Sequence, residues 1–332
     1  MGLLSFWLAG VLMSSPTFVA HSASTSVRVV TWNVFDLPEQ LFAVESAKRM
    51  GQIANALARH CQPLESVDAI VLTELYVSRD KHTLLSKLDQ LGFAHHAELQ
   101  KTRLLDHFRP SGIVVASRWP IEDQASMLFR NGCHGLDCLV NKGTLYVRLL
   151  KSLEGRVEPI NLFGTHFYLG RPGRYAEDRK IQASSLAAFV QEKTRGFGEI
   201  ALLAGDLNAP WYADGPALLA LLGGYPIEPS GDLGYTFVGD SGHLLAGSPT
   251  QSLQQRCSRH AQGPQVLSDL QAGRKWIDYV AALAPGKKPS QAHLRAIEAK
   301  GLSYTFGTSA QASCQTSELS DHYPVVGDFL FD

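Results

Sequence analysis

Runs of apolar and β-branched residues recur along the chain at strand length. They are Val27 to Phe35 (VRVVTWNVF), Asp68 to Leu75 (DAIVLTEL), Gly112 to Ser117, Gly143 to Leu150, Pro159 to His166, Ile200 to Gly205, Trp276 to Leu283 and Tyr323 to Phe331. Between them, apolar positions at helical spacing predict helices over Ser46 to His60, Tyr175 to Lys193 and Pro216 to Leu222. Strands and helices interleave, yet several strands follow one another across short turns. A purely doubly wound sheet fits that order poorly, and two packed sheets with helices outside fit it better. Asn208 to Lys275 is rich in Gly, Pro, Ser and Gln and reads as long surface loops around one helix, the kind of segment that often carries function.

The head of the chain follows a different pattern. No Lys, Arg, Asp or Glu precedes Arg28, and Leu3 to Ala20 is mostly apolar, with small residues following at Ala20, Ser22 and Ala23. Residues 1–23 are therefore expected to be a secretory signal peptide, with residues 24–332 a single exported domain, extracellular or periplasmic. An uncleaved anchor is the alternative. No later stretch approaches about 20 consecutive apolar residues, so no span is expected in the mature chain. Export permits disulfides among the five cysteines, and Cys133 with Cys138 and Cys257 with Cys314 are the favoured pairs, leaving Cys61.

Composition narrows the function. Over 332 residues, Lys plus Arg is 30 and Asp plus Glu is 31, a formal net charge of −1, and no basic run stands out. Charge-driven binding of nucleic acid is not expected.

The chemistry-bearing residues sit at strand ends. Asn33 closes RVVTWN, Glu74 closes IVLTE, His166 closes INLFGTH, and Asp206 with Asn208 closes ALLAGDLN. Asp278 lies in KWIDYV, and Asp321 with His322 precedes YPVVGDF. Each alone is ordinary turn, cap or strand-end chemistry. Gathered at one sheet edge, they supply the carboxylates, amides and two imidazoles needed to hydrolyse a phosphate ester with a hard cation.

The ordered set TWNVF, LTELY, GTHFY, GDLNAP, IDYV and SDHYPV resembles the endonuclease/exonuclease/phosphatase superfamily over Val27 to Asp332. Within it, SGIVVASRWPI (Ser111 to Ile121) and NGCHGLDCLVNKGTLYV (Asn131 to Val147) resemble the secreted bacterial neutral sphingomyelinases. The resemblance implies a four-layer α/β/β/α sandwich with two central mixed β-sheets, as in deoxyribonuclease. It also implies a Mg²⁺-dependent phospholipase C reaction, with Mn²⁺ or Co²⁺ as substitutes, on sphingomyelin or a related choline phospholipid at a membrane surface. A monomer is expected. One departure is that Gly307 to Glu318 is polar where those enzymes carry an aromatic-tipped hairpin.

The same resemblance assigns roles. Glu74 becomes the principal metal ligand, with Asn33 beside it and Asp321 assisting. His322 becomes the general base, and Asp278 its orienting partner, since Asp321 as the adjacent residue of an extended segment points to the other face. Asp206 and Asn208 would position water and a phosphate oxygen, and His166 would stabilise phosphoryl charge. Asp137 and Lys142 would lie on the substrate side. Arg179 and Gln182 read as structural hydrogen-bond donors. The alternatives are a secreted nuclease of the same fold and a non-catalytic binding module.

Overall fold

The computed structural model describes residues 24–38, 45–100, 110–171, 173–194, 198–225, 227–231, 233–239, 243–245, 252–262, 273–309 and 312–332. The proposed leader, residues 1–23, lies outside them. In chain order the elements are β1 (Thr25–Asp36), α1 (Ser46–His60), β2 (Ala69–Leu75), α2 (Ser78–Gln90), β3 (His95–Glu98), β4 (Val114–Ser117), β5 (Ile121–Leu128), β6 (Gly143–Leu153) and β7 (Arg156–His166). There follow α3 (Tyr175–Lys193), β8 (Ile200–Asp206), α4 (Gly215–Leu221), β9 (Pro229–Ser230), β10 (Phe237–Val238), α5 (Leu253–Gln262), β11 (Arg274–Lys275), β12 (Asp278–Ala282), β13 (Gln291–Ala296), β14 (Tyr304–Ser309), β15 (Ala312–Thr316) and β16 (Val325–Phe331).

Two mixed sheets form the centre, a seven-stranded one in the order β3-β4-β2-β1-β16-β13-β9 and a five-stranded one in the order β12-β8-β7-β6-β5. Alternating side chains explain the layers. Val29 and Val71 point to the core between the sheets, while their neighbours Val30, Trp32, Ile70 and Leu72 pack outward. There they meet Met50, Ile53, Ala54 and Leu57 of α1 and Leu84 and Leu88 of α2. The apolar spacing of α1 thus supplies one outer layer. On the other side α3 and α4 contribute Ala183, Leu186, Val190, Leu218 and Leu219 to the core of the five-stranded sheet. Strands covered on both faces are mostly apolar, with a few buried polar residues such as Thr31, Asn161 and Thr165, which is why they were legible as runs. The expected four-layer sandwich is the observed fold.

Several elements lack such a run. β3 and β5 are edge strands with partly exposed polar residues. In α2 the buried positions are Asp80, Leu84 and Leu88, too sparse a stripe to stand out. The region 208–275 holds two helices among its described residues, α4 and α5, rather than one. Within the polar segment Gly307 to Glu318, among its described residues, β15 pairs antiparallel with β14, and the Cys257–Cys314 disulfide joins β15 to α5. Cys133 and Cys138 form the other disulfide, and Cys61 is free and buried, its thiol pushed up to about 12 by burial. No helix among the described residues is long and apolar enough to cross a membrane.

Asp36 closes β1 fully buried, and its carboxylate accepts the Val77 N–H at 2.9 Å where α2 begins. Burial first, and then Asp80, raise its pKa from 3.8 to about 7 against the opposing Val77 N–H and Arg49. The unfolded chain releases this proton near 3.8 and the folded one only near 7, so the stability linked to it is present at low pH and lost as pH rises through that window. Asp36→Asn removes the linkage. In urea melts of both proteins between about pH 4 and pH 7, the stability of wild type relative to Asp36→Asn should fall as pH rises; a constant difference would show that Asp36 ionises normally in the fold.

Candidate active site

The site forms where the central strands of both sheets end. Parallel pairing of β7 with β8 sets His166 beside Asp206, and antiparallel pairing of β12 with β8 sets Asp278 on its other side. Gly205 precedes Asp206 because a Cβ there would lie 1.9 Å from the Thr165 carbonyl oxygen. In the facing sheet β1 and β2 run parallel, with a register shift between Asn33 and Asp36. Here the chain adopts left-handed backbone at Phe35 and Glu74, and Asn208 does so after β8. Non-glycine residues in that region are uncommon and concentrate at functional sites.

These ends bring the carboxylates together. Asn33 Nδ2 donates to Glu74 Oε1 and to Asp206 Oδ2, both at 3.1 Å. Its Oδ1 accepts the Phe35 N–H, so Asn33 presents nitrogen to the acids, and offering oxygen to a cation requires its amide to turn. Asp206 Oδ1 accepts the Asn208 N–H at 2.7 Å, and Asn208 Nδ2 donates to the Phe167 carbonyl at 2.8 Å. His166 Nε2 has no hydrogen-bond partner among the described residues, lying 3.4 Å from Asp206 Oδ2 and 3.7 Å from Glu74 Oε1. Among the described residues, two sets of ligand atoms fall within 4.8 Å of one another: Glu74, His166 and Asp206, and Asp206, Asp278 and His322. Asp321 joins neither set.

His322 Nδ1 lies 2.7 Å from Asp278 Oδ2, leaving Nε2 4.0 Å from Asp206 Oδ2. Thr236 Oγ1 donates to the same Asp278 oxygen at 2.6 Å and accepts the Ile277 and Asp278 N–H groups. The His322 carbonyl accepts the Trp32 indole N–H at 2.9 Å, and the Phe237 ring stands 5.0 Å from the imidazole. Asp137 Oδ1 lies 2.9 Å from Lys142 Nζ, which also donates to the Phe167 carbonyl at 3.3 Å. The pair therefore borders the cluster. Arg179 donates to Asp214 and to the Leu169 carbonyl; Gln182 instead accepts, from the Tyr168 N–H at 2.8 Å.

The electrostatics divide the two imidazoles. Burial, then Lys142 and His322, hold the pKa of His166 well below 6.5, so it is neutral. Burial alone would lower that of His322, but Asp278, Asp321 and Asp206 outweigh it and raise the value to about 10. Burial raises Glu74, and it raises Asp206 and Asp321 to about 6 each, with Asp278 adding to the rise at Asp206. Lys142 is raised although burial opposes it, because Asp137 and Glu74 face it. Buried acids that resist ionising, oxygen donors on adjacent strands and an unpartnered imidazole nitrogen suit a divalent cation beside a phosphate.

Residues 30–322 match the endonuclease/exonuclease/phosphatase family, to which the chain belongs. It is similar to sphingomyelinase C of Leptospira interrogans, 34% identical over 223 residues, which is 60% of this chain and 39% of that protein. Sphingomyelinase C 2 of L. interrogans serovar Lai is 27% identical over 212 residues, 57% of this chain and 31% of that protein. The matched stretches thus span between about 30% and 40% of these relatives. Among solved structures, sphingomyelinase C from Streptomyces griseocarneus superposes with a TM-score of 0.70 at 22% identity, covering 92% of this chain and 99% of that one. A Staphylococcus aureus beta toxin variant with bound magnesium ions gives 0.71 at 19% identity, covering 91% and 99%. These likenesses establish a common fold.

Sequence reasoning passed over Thr236 and Arg49. Thr236 is 42 residues from Asp278 with no local signal. Arg49 had one, a charge beside the apolar stripe of α1. Its guanidinium, fully buried, donates to the carbonyls of Val34 (2.9 Å), Phe35 (2.5 Å) and Leu319 (2.6 Å), joining the end of β1 to the segment that carries Asp321 and His322. Arg49→Leu leaves these acceptors unpaired and should cost about 3 kcal/mol or more in urea melts. A loss under about 1 kcal/mol would mean that water or neighbouring groups replace the guanidinium.

Proposed function

We propose that the protein is a secreted Mg²⁺-dependent phosphodiesterase that hydrolyses sphingomyelin to ceramide and phosphocholine. The observation that carries this reading is the His322–Asp278 pair, 2.7 Å apart, beside Asp206 and facing His166 and Glu74 in one buried cluster. The substrate class is supported by the similarity to sphingomyelinases C and by the segment that holds Asp137 and Lys142 at the site. Export is supported by the charge-free apolar leader, residues 1–23, and by two disulfides in the domain, residues 24–332.

Glu74 would hold the cation, with Asp321 and Asn33, its amide turned, assisting; Mn²⁺ or Co²⁺ would substitute. When bound, the cation neutralises phosphate charge and stabilises the leaving alkoxide. His322 Nε2 takes the proton of the attacking water, and Asp278 holds the ring through Nδ1 and stabilises the imidazolium. Compensation of the surrounding carboxylates by positive charge weakens the pull that otherwise keeps His322 protonated. Asp206 and Asn208 position the water and a phosphate oxygen. Neutral His166 donates from Nε2 to a phosphoryl oxygen, and Lys142, held by Asp137, adds positive charge. The water oxygen–phosphorus bond forms as the phosphorus–oxygen bond to ceramide breaks in line; the alkoxide takes up a proton from solvent, and the His322 imidazolium returns its proton to solvent.

Glu74→Gln should leave the metal-free protein melting no lower than wild type, because it removes a buried carboxylate at nearly constant volume. It should also abolish most of the rise in Tm that Mg²⁺ confers on wild type. A variant with the full Mg²⁺-dependent rise would remove Glu74 from the metal site.

Assays with Mg²⁺ or EDTA against sphingomyelin, phosphatidylcholine and duplex DNA test the reaction itself. Sphingomyelin should be cleaved with Mg²⁺ and spared with EDTA. His322→Ala should be nearly inactive, Asp278→Asn impaired, and His166→Ala slowed by ~10²–10³ for the loss of one charge-stabilising contact. Near wild-type cleavage by His322→Ala, or cleavage of DNA alone by the native enzyme, contradicts this function.

A further inference from the structure

Large apolar side chains stand exposed beside the site, among them Leu139 at 58%, Leu169 at 49% and Tyr212 at 83%. Hydrogen bonds tie their segments into one rim. Leu139 ends the 3₁₀ turn Gly135–Leu139, which the Cys133–Cys138 disulfide braces, and Asp137 of that turn accepts the Leu169 N–H at 3.0 Å. Arg179 donates to the Leu169 carbonyl at 3.1 Å and to Asp214, two residues beyond Tyr212, at 2.8 Å. The same segments carry site residues: Leu169 follows His166, Tyr212 follows Asn208, and Asn208 bonds the Phe167 carbonyl between them. An aliphatic pair and a tyrosine around a cleft suit the boundary of a lipid layer, where a ring can bury its body and keep its hydroxyl wet.

Charge selects the kind of layer. Lys142 pairs with Asp137, Arg171 with Asp178 and Arg174 with Glu177, and the whole chain carries −1. Such a rim offers little net attraction to an anionic surface. We propose that Leu139, Leu169 and Tyr212 form the face that seats this protein on a zwitterionic choline-lipid bilayer, presenting a headgroup to the site. The proposal rests on the sphingomyelin reading. It also places the lipid contact on loops of the five-stranded sheet, apart from the β14–β15 hairpin.

The test uses the protein with Leu139→Ser, Leu169→Ser and Tyr212→Ser combined. Binding to vesicles of equimolar sphingomyelin and phosphatidylcholine is read by co-sedimentation in EDTA, so that binding is measured without turnover. The triple variant should bind roughly tenfold less or weaker still. With Mg²⁺ it should lose vesicle hydrolysis in proportion while cleaving the water-soluble ester p-nitrophenylphosphorylcholine as wild type does. Leu302→Ser, an exposed leucine whose N–H bonds Gln52 on α1, should bind vesicles normally. Should the triple variant fail to fold, the three single variants are read in the same way, each expected to weaken binding several-fold.

Wild type that cleaves sphingomyelin while the triple variant binds vesicles undiminished overturns the rim and leaves the function standing. Wild type that binds vesicles but cleaves neither substrate overturns the function, and the rim assignment falls with it. Tighter, salt-sensitive binding to phosphatidylserine vesicles would also overturn the rim, as would a wild-type dimer that the triple variant converts to monomer.

Discussion

A cluster of acids that would normally be solvated is buried here at the ends of apolar strands, and the positive charge needed to compensate it organises the site. Glu74, Asp206 and Asp321 are all held above their ordinary carboxylate range, burial being the largest cause at each. Isolated charges in such surroundings are costly unless they are paired or hydrogen-bonded. Among the described residues Lys142 and His322 supply positive charge to the cluster, each anchored by a further carboxylate, Asp137 and Asp278, and Arg49 acts on Asp321. What those cations leave uncompensated lies between Glu74 and Asp206, where Asn33 contributes amide hydrogens.

Topology makes this concentration of charge possible. Each central sheet brings one parallel pair to the site, β1 with β2 and β7 with β8. Parallel strands end at the same edge, so Asn33 and Glu74 in one sheet and His166 and Asp206 in the other need only the face-to-face packing of the sheets to meet. β12 and the segment before β16 enter antiparallel to these pairs, so their contributions, Asp278 and His322, come from where strands start rather than finish. Arg49 joins both kinds of end, bonding carbonyls of β1 and of Leu319.

This organisation explains what the sequence disclosed. Ionisable residues terminating largely apolar runs stood out because the polar residues inside those runs, such as Thr73, Asn161 and Thr165, are uncharged, so Glu74, His166 and Asp206 could be found by eye. The separation of Asp278 from Asp321 as partners of His322 followed from the period of an extended chain. Contacts made across the fold left no such mark. Thr236 reaches Asp278 from a loop whose composition is indistinguishable from its surroundings, and the direction of the Asn33 amide depends on the Phe35 N–H, set by a left-handed turn. The edge strands β3 and β5 were hidden for the opposite reason, since their exposed faces carry polar residues that erase the apolar run.

The two histidines show why residue type alone could not assign the chemistry. Both are buried to the same degree, 1% and 5% exposed, and both stand within 4.0 Å of Asp206. Burial favours the neutral form of each. At His166 the positive charges of Lys142 and His322 add to the effect of burial, and its ring stays neutral although Asp206 and Glu74 lie close by. His322 has Asp278 on Nδ1 and two further acids nearby, which reverse the balance. One imidazole is thereby suited to donating a hydrogen bond without carrying charge. The other is held protonated by its acids, so the base role proposed for His322 requires positive charge to compensate those acids first.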